Sequence, residues 1–141
     1  MNSEIKIFTD GGSRGNPGPA AIGVYITDGK ENVLAGIGKQ IGVETNNTAE
    51  YRAVIEALSW LLDNIGKIAE DAKISFFLDS LLVCSQIKGL YKVKNANLRD
   101  LLFQVRQKEA QIKRSIFYNH IPREKNKMAD SLVNDALDNN S

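Results

Sequence analysis

Apolar and polar residues alternate along the first third of the chain, a pattern that is typical of β-strands. Charged and apolar side chains alternate in EIKIFT (residues 4–9), and AIGVYIT and VLAGIGKQIG have similar strand character. The stretches DGGSRGNPGPA and DGKEN separate these segments and are predicted to be loops or turns. Three short strands joined by tight turns predict an antiparallel meander.

From Tyr51 the apolar residues change to helical spacing. The positions that form the apolar stripe are Val54, Ile55, Leu58, Leu61, Leu62 and Ile65. Gly66 is expected to end this helix, since glycine commonly follows the last helical turn. The second part of the chain is therefore predicted to begin with one long amphipathic helix.

The remaining segments predict a mixed α/β arrangement. KISFFLD (73–79) is mostly apolar, as expected of a strand that is buried on both faces in a parallel pairing. SLLVCSQIKGL and the segment from Leu98 to Ile112 are predicted helices, SIFYNHI (115–121) a strand, and the segment around Ala129 to Leu137 a last helix before the polar tail DNNS. The order β-β-β-α-β-α-α-β-α predicts one α/β domain over 1–141, ordered over about 4–138, with a mixed five-stranded sheet flanked by helices.

Composition and charge limit the classes of function. The chain is 43% hydrophobic and 25% charged, which is ordinary for a globular domain, and it has no apolar run long enough to span a membrane. The start MNSEIKIF has no secretory signal pattern, and the single cysteine, Cys84, excludes an internal disulfide. We therefore expect a cytoplasmic protein. The formal net charge of +1 means that nucleic acid could be bound only through basic side chains that cluster locally.

Four acidic residues lie near predicted strand and helix ends. Asp10 ends the first strand, Glu50 opens the first long helix, Asp79 ends the fourth strand, and Asp130 lies in the first turns of the last helix. Functional sites of α/β sheets gather at the carboxyl ends of strands, where Asp10 and Asp79 would meet if their strands are parallel. These four acids are the candidate site.

Each acid also has an ordinary structural interpretation. Asp10 could start an Asp-Gly turn, and Glu50 could be the partner of Asn47 in a capping box. Asp79 could cap the helix that follows it, and Asp130 could be a solvated acid favoured by a helix dipole. Four such acids need not converge, whereas a hard divalent cation requires convergent oxygen ligands.

Four motifs resemble those of the type I ribonuclease H family, over about residues 4–138. They occur in the family's order and are TDGGSRGNPGPA, TNNTAEYRAVIEAL, FFLDS and HIPREKNKMADSLVNDAL. The resemblance implies the fold of that family with strand order 3-2-1-4-5. It also implies an endonuclease that hydrolyses the RNA strand of RNA–DNA hybrids and holds its metal with Asp10, Glu50, Asp79 and Asp130.

The chemistry of phosphodiester hydrolysis agrees with this donor set. Two Mg²⁺ ions about 3.5–4 Å apart can stabilise the attacking and leaving oxygens together. The sequence has one histidine and one cysteine and so no Cys/His cluster, which argues against zinc. We expect two Mg²⁺ ions with substrate, with Mn²⁺ as a substitute.

His120 is the only histidine and has two interpretations. It could pack or hydrogen-bond at the end of SIFYNHI without a role in chemistry. The resemblance implies instead that it lies beside the metals and helps to protonate the leaving group or to release product. It is followed directly by IPREKN, without the glycine-containing loop of larger members. We expect its removal to reduce cleavage less than removal of an acid.

The resemblance also implies substrate contacts. Ser13, Asn16, Asn46 and Asn47 match positions along the RNA strand, where 2′-hydroxyls distinguish RNA from DNA, and Thr45 matches a position that grips a DNA phosphate. The alternative for all five is turn and cap chemistry, which these residue types favour.

Basic residues beyond these motifs predict only modest binding. The segment Lys88–Lys94 contains basic side chains and one aromatic side chain, and it could either bind phosphates or be a solvated loop. The same two interpretations hold for the basic residues in 123–127. The span from Gly89 to Asn97 is too short for the basic protrusion of larger family members. The chain is thus predicted to be a compact form that binds hybrids weakly and in a salt-sensitive way.

Two other functions are compatible with this fold. DNA-integrating and junction-resolving nucleases share the architecture, so fold alone does not decide the substrate. A non-catalytic hybrid-binding module is the third possibility, although loss of an acid would be its usual mark and all four are present. The motifs TNNTAEY and ADSLVNDAL favour the hybrid-cutting enzyme, which we expect to act as a monomer without an obligate protein partner.

Overall fold

The computed structural model describes residues 1–139, which form five strands and four helices. The strands are β1 (Asn2–Ser13), β2 (Gly18–Asp28), β3 (Val33–Glu44), β4 (Ile68–Leu78) and β5 (Ser115–His120). The helices are α1 (Asn46–Asp63), α2 (Leu81–Ile87), α3 (Ala96–Ile112) and α4 (Lys127–Asp138), with single 3₁₀ turns at Ile65–Lys67 and Arg123–Lys125. The predicted order of elements is confirmed.

The strands form one mixed sheet in the order β3-β2-β1-β4-β5. β1, β2 and β3 pair antiparallel as a meander, while β4 is parallel to both β1 and β5. The expected five-stranded sheet and its 3-2-1-4-5 order are confirmed. This topology places the carboxyl ends of β1 and β4 side by side.

Helices cover the two faces of the sheet unequally. The main core lies between the sheet and α1, α2 and α3, and it includes the fully buried Ile7, Tyr51, Leu58 and Phe76. α4 packs on the opposite face through Val133 and other apolar residues of its stripe. None of the helices in the described part of the chain is long and apolar enough to cross a membrane.

The glycine-rich segment after Thr9 is only partly a loop, so that prediction was wrong at both of its ends. β1 continues through Asp10 to Ser13, and β2 already begins at Gly18. Asp10 is therefore an internal strand residue that pairs with Gly23, although the parallel pairing of β1 with β4 does end at Thr9. The glycines serve close packing here: a Cβ at Gly11 would lie 2.2 Å from a main-chain carbon of Ala49 in α1.

The ends of α1 also differ from the prediction. Thr45 is the N-cap, and its hydroxyl accepts a hydrogen bond from the amide of Thr48 at 3.2 Å. The helix therefore starts five residues before Tyr51, because a polar capped turn precedes the apolar stripe. It ends at Asp63, before Gly66, which lies within the following 3₁₀ turn.

β4 is longer than the apolar run that predicted it, and its end is capped differently. It begins at Ile68 rather than Lys73, with its first part beside the start of β1 across a register shift. Exposed Glu70 and Asp71 hide this strand start in the sequence. The N-cap of α2 is Ser80, whose hydroxyl accepts a hydrogen bond from a backbone amide in the first turn of the helix. Asp79 is therefore not the helix cap.

Candidate metal centre

Three of the four predicted acids meet at the end of the β1–β4 pair. Asp10 lies in β1 one residue beyond the last parallel pairing, Asp79 directly follows β4, and Glu50 comes from the second turn of α1. Each offers a carboxylate oxygen, and these oxygens lie within 4.8 Å of one another. Such convergence is what a hard divalent cation requires and what isolated turn or cap acids would not produce.

The contact between β1 and α1 brings Glu50 to this position. Gly11 lies against the main chain of Ala49 and Glu50, so close that no side chain fits between the strand and the helix. The Gly11 amide also donates a 3.0 Å hydrogen bond to Oδ1 of Asp10. A glycine next to the strand acid thus orients that carboxylate and admits the helix that carries the second one.

Burial and like charge oppose ionisation of this cluster. Burial raises the pKa of Asp10 from its ordinary 3.8 to about 7, and the charges of Asp79 and Asp130 add to the rise. Burial, and after it the charge of Asp10, raises the pKa of Glu50 well above its usual range. Oε2 of Glu50 is buried without a hydrogen-bond partner among residues 1–139. Crowded carboxylates with an unsatisfied oxygen fit a divalent cation as their missing partner.

Asp130 lies at the same pocket but is not one of the three clustered acids. It is in the first turn of α4, half-buried, and its Oδ2 accepts a 3.3 Å hydrogen bond from Asn134. Its negative charge reaches Asp10, whose pKa it helps to raise. Asp130 is thus placed to join the cluster from the opposite face of the sheet.

A pocket of about 420 Å³ opens over the acids, and its rim is polar. Ser13, Asn46 and Asn47 line it together with the acids. The Ser13 amide donates to Oδ1 of Asn46 at 2.9 Å, and the Asn46 amide donates to Oδ1 of Asn16 at 3.0 Å. These bonds join the end of β1, the following turn and the start of α1 into one rim.

Asn16 and Thr45 are not among the lining residues of this pocket. Asn16 is exposed in the turn and acts on the rim through its bond to Asn46. Thr45 caps α1, and its hydroxyl also bonds to the hydroxyl of Thr48 at 3.0 Å. The predicted capping chemistry is therefore present at Thr45, while its contact with a phosphate stays a prediction.

His120 is the last residue of β5 and is exposed. It pairs with Leu78 of β4, so it lies across the strand pair from the residue that precedes Asp79. It is not part of the pocket lining. The structure thus places His120 beside the acid-bearing strand end but outside the pocket.

Several pocket residues were not predicted as site residues. Arg14 and Arg123 bring positive charge to the lining, and Arg14 also forms a 2.7 Å ion pair with Asp138. Asn126 is buried and donates a hydrogen bond to Asp79. In the sequence Asn126 resembles an ordinary residue at a helix start, and its position one turn before Asp130 was the only signal available.

A second, larger depression of about 520 Å³ lies between β3, α1 and α3. Arg52, Glu56 and Asp100 are among its lining residues, and Glu56 is paired with Lys39 at 2.5 Å. Its acids form no group close enough to hold a cation among the described residues. We therefore place the candidate chemistry at the smaller pocket.

The segment after α2 is fixed at its base and exposed at its tip. The amides of Leu90 and Tyr91 both donate to the carbonyl of Ser85, at 2.8 and 3.2 Å. Both side chains are largely exposed, beside the exposed Lys88 and Lys92. The segment is thus an ordered surface loop, and phosphate binding by its lysines stays a prediction.

Comparisons with known proteins agree with the fold. A family profile described as reverse transcriptase-like matches residues 8–136. Ribonuclease HI of Halobacterium salinarum is 38% identical over 134 residues, which cover 95% of this chain and 64% of that protein. A bifunctional protein of Mycobacterium tuberculosis is 42% identical over 136 residues, which cover 96% of this chain and 36% of that protein. The chain thus spans about a third of one of these relatives and less than two thirds of the other.

A solved structure of LC11-RNase H1 in complex with an RNA/DNA hybrid superposes closely on this chain. The TM-score is 0.90 at 45% sequence identity, and the match covers 95% of this chain and 96% of that one. The similarity therefore extends over nearly the whole chain.

Proposed function

The chain belongs to the type 1 ribonuclease H family, and from this we propose that it hydrolyses the RNA strand of RNA–DNA hybrids with the help of divalent metal ions. The observation that carries the proposal is the group formed by the buried Asp10 and Glu50 and the half-buried Asp79, with oxygens within 4.8 Å of one another beneath a polar pocket. The similarity to a protein that was crystallised with an RNA/DNA hybrid supports the choice of substrate.

Asp10, Glu50, Asp79 and Asp130 would hold the metal, which we propose to be two Mg²⁺ ions, or Mn²⁺ in their place. When bound, the ions would neutralise charge on the attacking and leaving oxygens of the phosphodiester. The carboxyls of Asp10 and Glu50 must be ionised to serve as ligands, and burial opposes this in the metal-free protein. The protein contributes a prepared set of anionic oxygens, so that little rearrangement is needed on binding.

The rim of the pocket would recognise the RNA strand. Ser13, Asn46 and Asn47 present small polar groups beside the acids, where 2′-hydroxyls could be bound as hydrogen-bond donors and acceptors. The bond from Asn46 to Asn16 holds the turn in place against α1. Thr45, at the start of the same helix, would meet a phosphate of the DNA strand.

His120 would supply a proton to the leaving 3′-oxygen or assist product release. Its exposure lets the imidazole exchange protons with solvent, and its strand position places it one residue from the register of Asp79. A histidine is suited to this task because its ordinary pKa lies near neutrality.

The proposal is tested by cleavage of a labelled RNA–DNA hybrid beside single-stranded RNA, duplex RNA and duplex DNA. We expect cleavage of the hybrid's RNA strand with Mg²⁺ or Mn²⁺ and none with chelator. Asp79→Asn should reduce the rate by several orders of magnitude, because it removes charge from the metal site. Asp71→Asn is the matched control, since Asp71 is an exposed acid of the same strand, and it should cleave normally.

Two results would contradict the proposal. Preferential cutting of another nucleic acid would indicate a nuclease of the same fold with a different substrate. Hybrid binding without cleavage at any metal concentration would indicate a non-catalytic module.

We also propose that the chain forms a single catalytic domain that acts as a monomer in the cytoplasm. A main core that gathers buried residues from β1, β2, β4, β5 and α1–α3, with partly buried residues of β3 packed against it, supports one domain. The free, buried thiol of Cys84 suits a reducing compartment. Sedimentation of the purified chain at several concentrations tests the monomer.

A further inference from the structure

Asn126 is a buried amide at the junction between the Arg123–Lys125 turn and α4. Its side chain is only 1% exposed. It occupies the N-cap position of α4 but makes no capping hydrogen bond to that helix. The side chain is directed instead into the protein, toward the strands that carry two of the acids.

The amide nitrogen of Asn126 joins these strands. Nδ2 donates to the carbonyl of Thr9 at 2.9 Å and to Oδ2 of Asp79 at 3.0 Å. Thr9 directly precedes Asp10 and is the last residue of β1 that pairs with β4. The carbonyl of Asn126 in turn accepts the amide of Asp130 at 3.1 Å. Asn126 therefore contacts the side chain of Asp79, the main chain directly before Asp10, and the main chain of Asp130.

The chemistry of these contacts explains why the residue is an asparagine. Both neighbours are hydrogen-bond acceptors, so the site requires two donors at one atom, which a primary amide provides. A serine has one donor, and a carboxylate has none and would repel Asp79. The other amide atom, Oδ1, is buried without a partner among residues 1–139. Leaving a buried acceptor unsatisfied costs stability, and the two bonds donated by the same amide offset that cost.

We propose that Asn126 is a positioning residue for the metal site: it fixes the rotation of the Asp79 carboxylate and ties the start of α4, with Asp130, to the end of β1. The inference rests on the proposed function. Asp79 is only half-buried and receives no other side-chain hydrogen bond in the described structure, so without Asn126 its carboxylate could rotate. Partners that orient metal ligands in this way commonly change metal affinity when they are removed.

The test compares Asn126→Ala and Asn126→Ser with a matched control, Asn119→Ala. Asn119 also donates from its side chain to a β4 carbonyl, that of Phe76 at 3.1 Å, but it contacts none of the acids. Calorimetric titration with Mn²⁺ alone measures metal affinity without any assay of cleavage. We expect both Asn126 variants to bind Mn²⁺ roughly 10- to 100-fold more weakly, and Asn119→Ala to bind within about twofold of the wild type.

A purely structural role makes a different prediction. It would lower the melting temperature of the Asn126 variants while leaving their Mn²⁺ affinity and the Mg²⁺ dependence of cleavage unchanged, and that result would overturn the inference. The positioning role predicts that cleavage needs about 10- to 100-fold more Mg²⁺ for half-saturation and recovers at least in part when Mg²⁺ is raised.

A measurement on the wild type covers the case in which the variants do not fold. In ¹⁵N-labelled protein titrated with Mg²⁺, the side-chain amide signals of Asn126 should shift with the same saturation curve as the backbone amides of Asp10 and Asp79. Asn126 signals that stay fixed while the other two shift would overturn the inference and leave the proposed function intact. Failure of the wild type to bind metal or to cleave hybrid would instead contradict the proposed function.

Discussion

The carboxyl groups of Asp10 and Glu50 are buried beside each other, and no basic side chain forms an ion pair with either of them among residues 1–139. Ionising both in the absence of metal costs free energy from desolvation and from repulsion. The same two groups become strong ligands when a divalent cation offsets their charge. At the scale of single residues the burial of these acids therefore supports the proposed metal site.

His120 differs from the acids in being exposed and outside the pocket, and this difference predicts a smaller effect on activity. His120→Ala should reduce the maximal rate of hybrid cleavage about 10- to 100-fold, because it removes the proposed proton donor and keeps the proposed metal ligands. Steady-state kinetics at saturating Mg²⁺ measure this change. His120→Ala should also leave Mn²⁺ affinity within about twofold, and a rate equal to that of the wild type would mean that His120 is an ordinary strand residue.

The sequence could identify the acids but not their neighbour Asn126. Asp10, Glu50 and Asp79 follow recognisable motifs at strand and helix ends, and the structure brings them together as expected. Asn126 stands at a helix start, where asparagine is common for local reasons, so nothing in the sequence shows that its amide faces Asp79. A contact between residues 47 positions apart is decided by tertiary packing.

At the scale of elements, strands and helices approach each other closely at two glycines. A Cβ at Gly11 would lie 2.2 Å from a main-chain atom of Ala49 in α1, and one at Gly23 would lie 2.2 Å from the carbonyl oxygen of Ala129 in α4. These contacts set the depth of both helices against the sheet. The glycines therefore determine how near Glu50 and Asp130 come to Asp10.

Gly11→Ala should destabilise the protein and weaken the metal site together. The added methyl group collides with backbone that cannot rotate away, which predicts a loss on the order of 3 kcal/mol in the free energy of unfolding. Urea denaturation measures this loss, and Mn²⁺ titration of the folded fraction should show weaker binding because α1 is displaced. Gly36→Ala is the control: a Cβ there has nothing within 4 Å, so stability should change by less than about 1 kcal/mol.

Equal stability of the two glycine variants would contradict the role given to the β1–α1 contact. It would mean that the helix can shift at little cost and that Gly11 is not what holds Glu50 near Asp10.

Local pattern predicted the kinds of elements better than their ends. Alternation and helical spacing gave every strand and helix in the correct order, because each element buries one side in the core. The ends were wrong where tertiary contacts decide them. Gly11 lies in the strand because it packs against α1 where a Cβ would collide with the main chain of Ala49, and Ile68 begins β4 because it lies beside the start of β1. Propensity alone assigns glycine to loops.

At the scale of the whole molecule, charge is distributed so that few basic side chains face the pocket. Arg14 and Arg123 line it, and Arg14 is already paired with Asp138. The formal net charge is only +1. Long-range attraction of a nucleic acid is therefore weak, and binding depends on a small number of direct phosphate contacts.

Hybrid binding should accordingly be weak and only moderately dependent on salt. Two or three phosphate contacts predict roughly a 10- to 50-fold loss of affinity between 50 and 200 mM salt. Fluorescence anisotropy in Ca²⁺ or chelator measures this without cleavage. Arg123→Gln should make the plot of log affinity against log salt concentration shallower by about one phosphate contact. Lys30→Gln, in the distant β2–β3 turn, should not change this slope. Tight binding that persists at high salt would reveal a contact surface elsewhere.

The raised pKa values of the buried acids also predict that the stability of the metal-free protein depends on pH. The pKa of Asp10 is about 7 in the folded protein, against an ordinary value of 3.8, and that of Glu50 is raised as well. At pH values between 3.8 and about 7, the folded state therefore binds more protons than the unfolded state. Linkage then requires that these groups stabilise the fold at low pH and that this contribution is lost as pH rises from about 4 to about 7.

Asp10→Asn isolates this effect, because the amide keeps the shape of the side chain and cannot ionise. In chelator, the variant and the wild type should melt at similar temperatures near pH 4, where Asp10 is protonated. The variant should melt increasingly higher than the wild type as pH approaches 7.5, by roughly 3 °C for each kcal/mol of repulsion that is removed. Saturating Mg²⁺ should reduce or reverse the difference, because the wild type gains more from the metal. Thermal scans across this pH range measure the gap, and a gap that stays constant with pH would show that Asp10 does not titrate in a crowded, metal-dependent site.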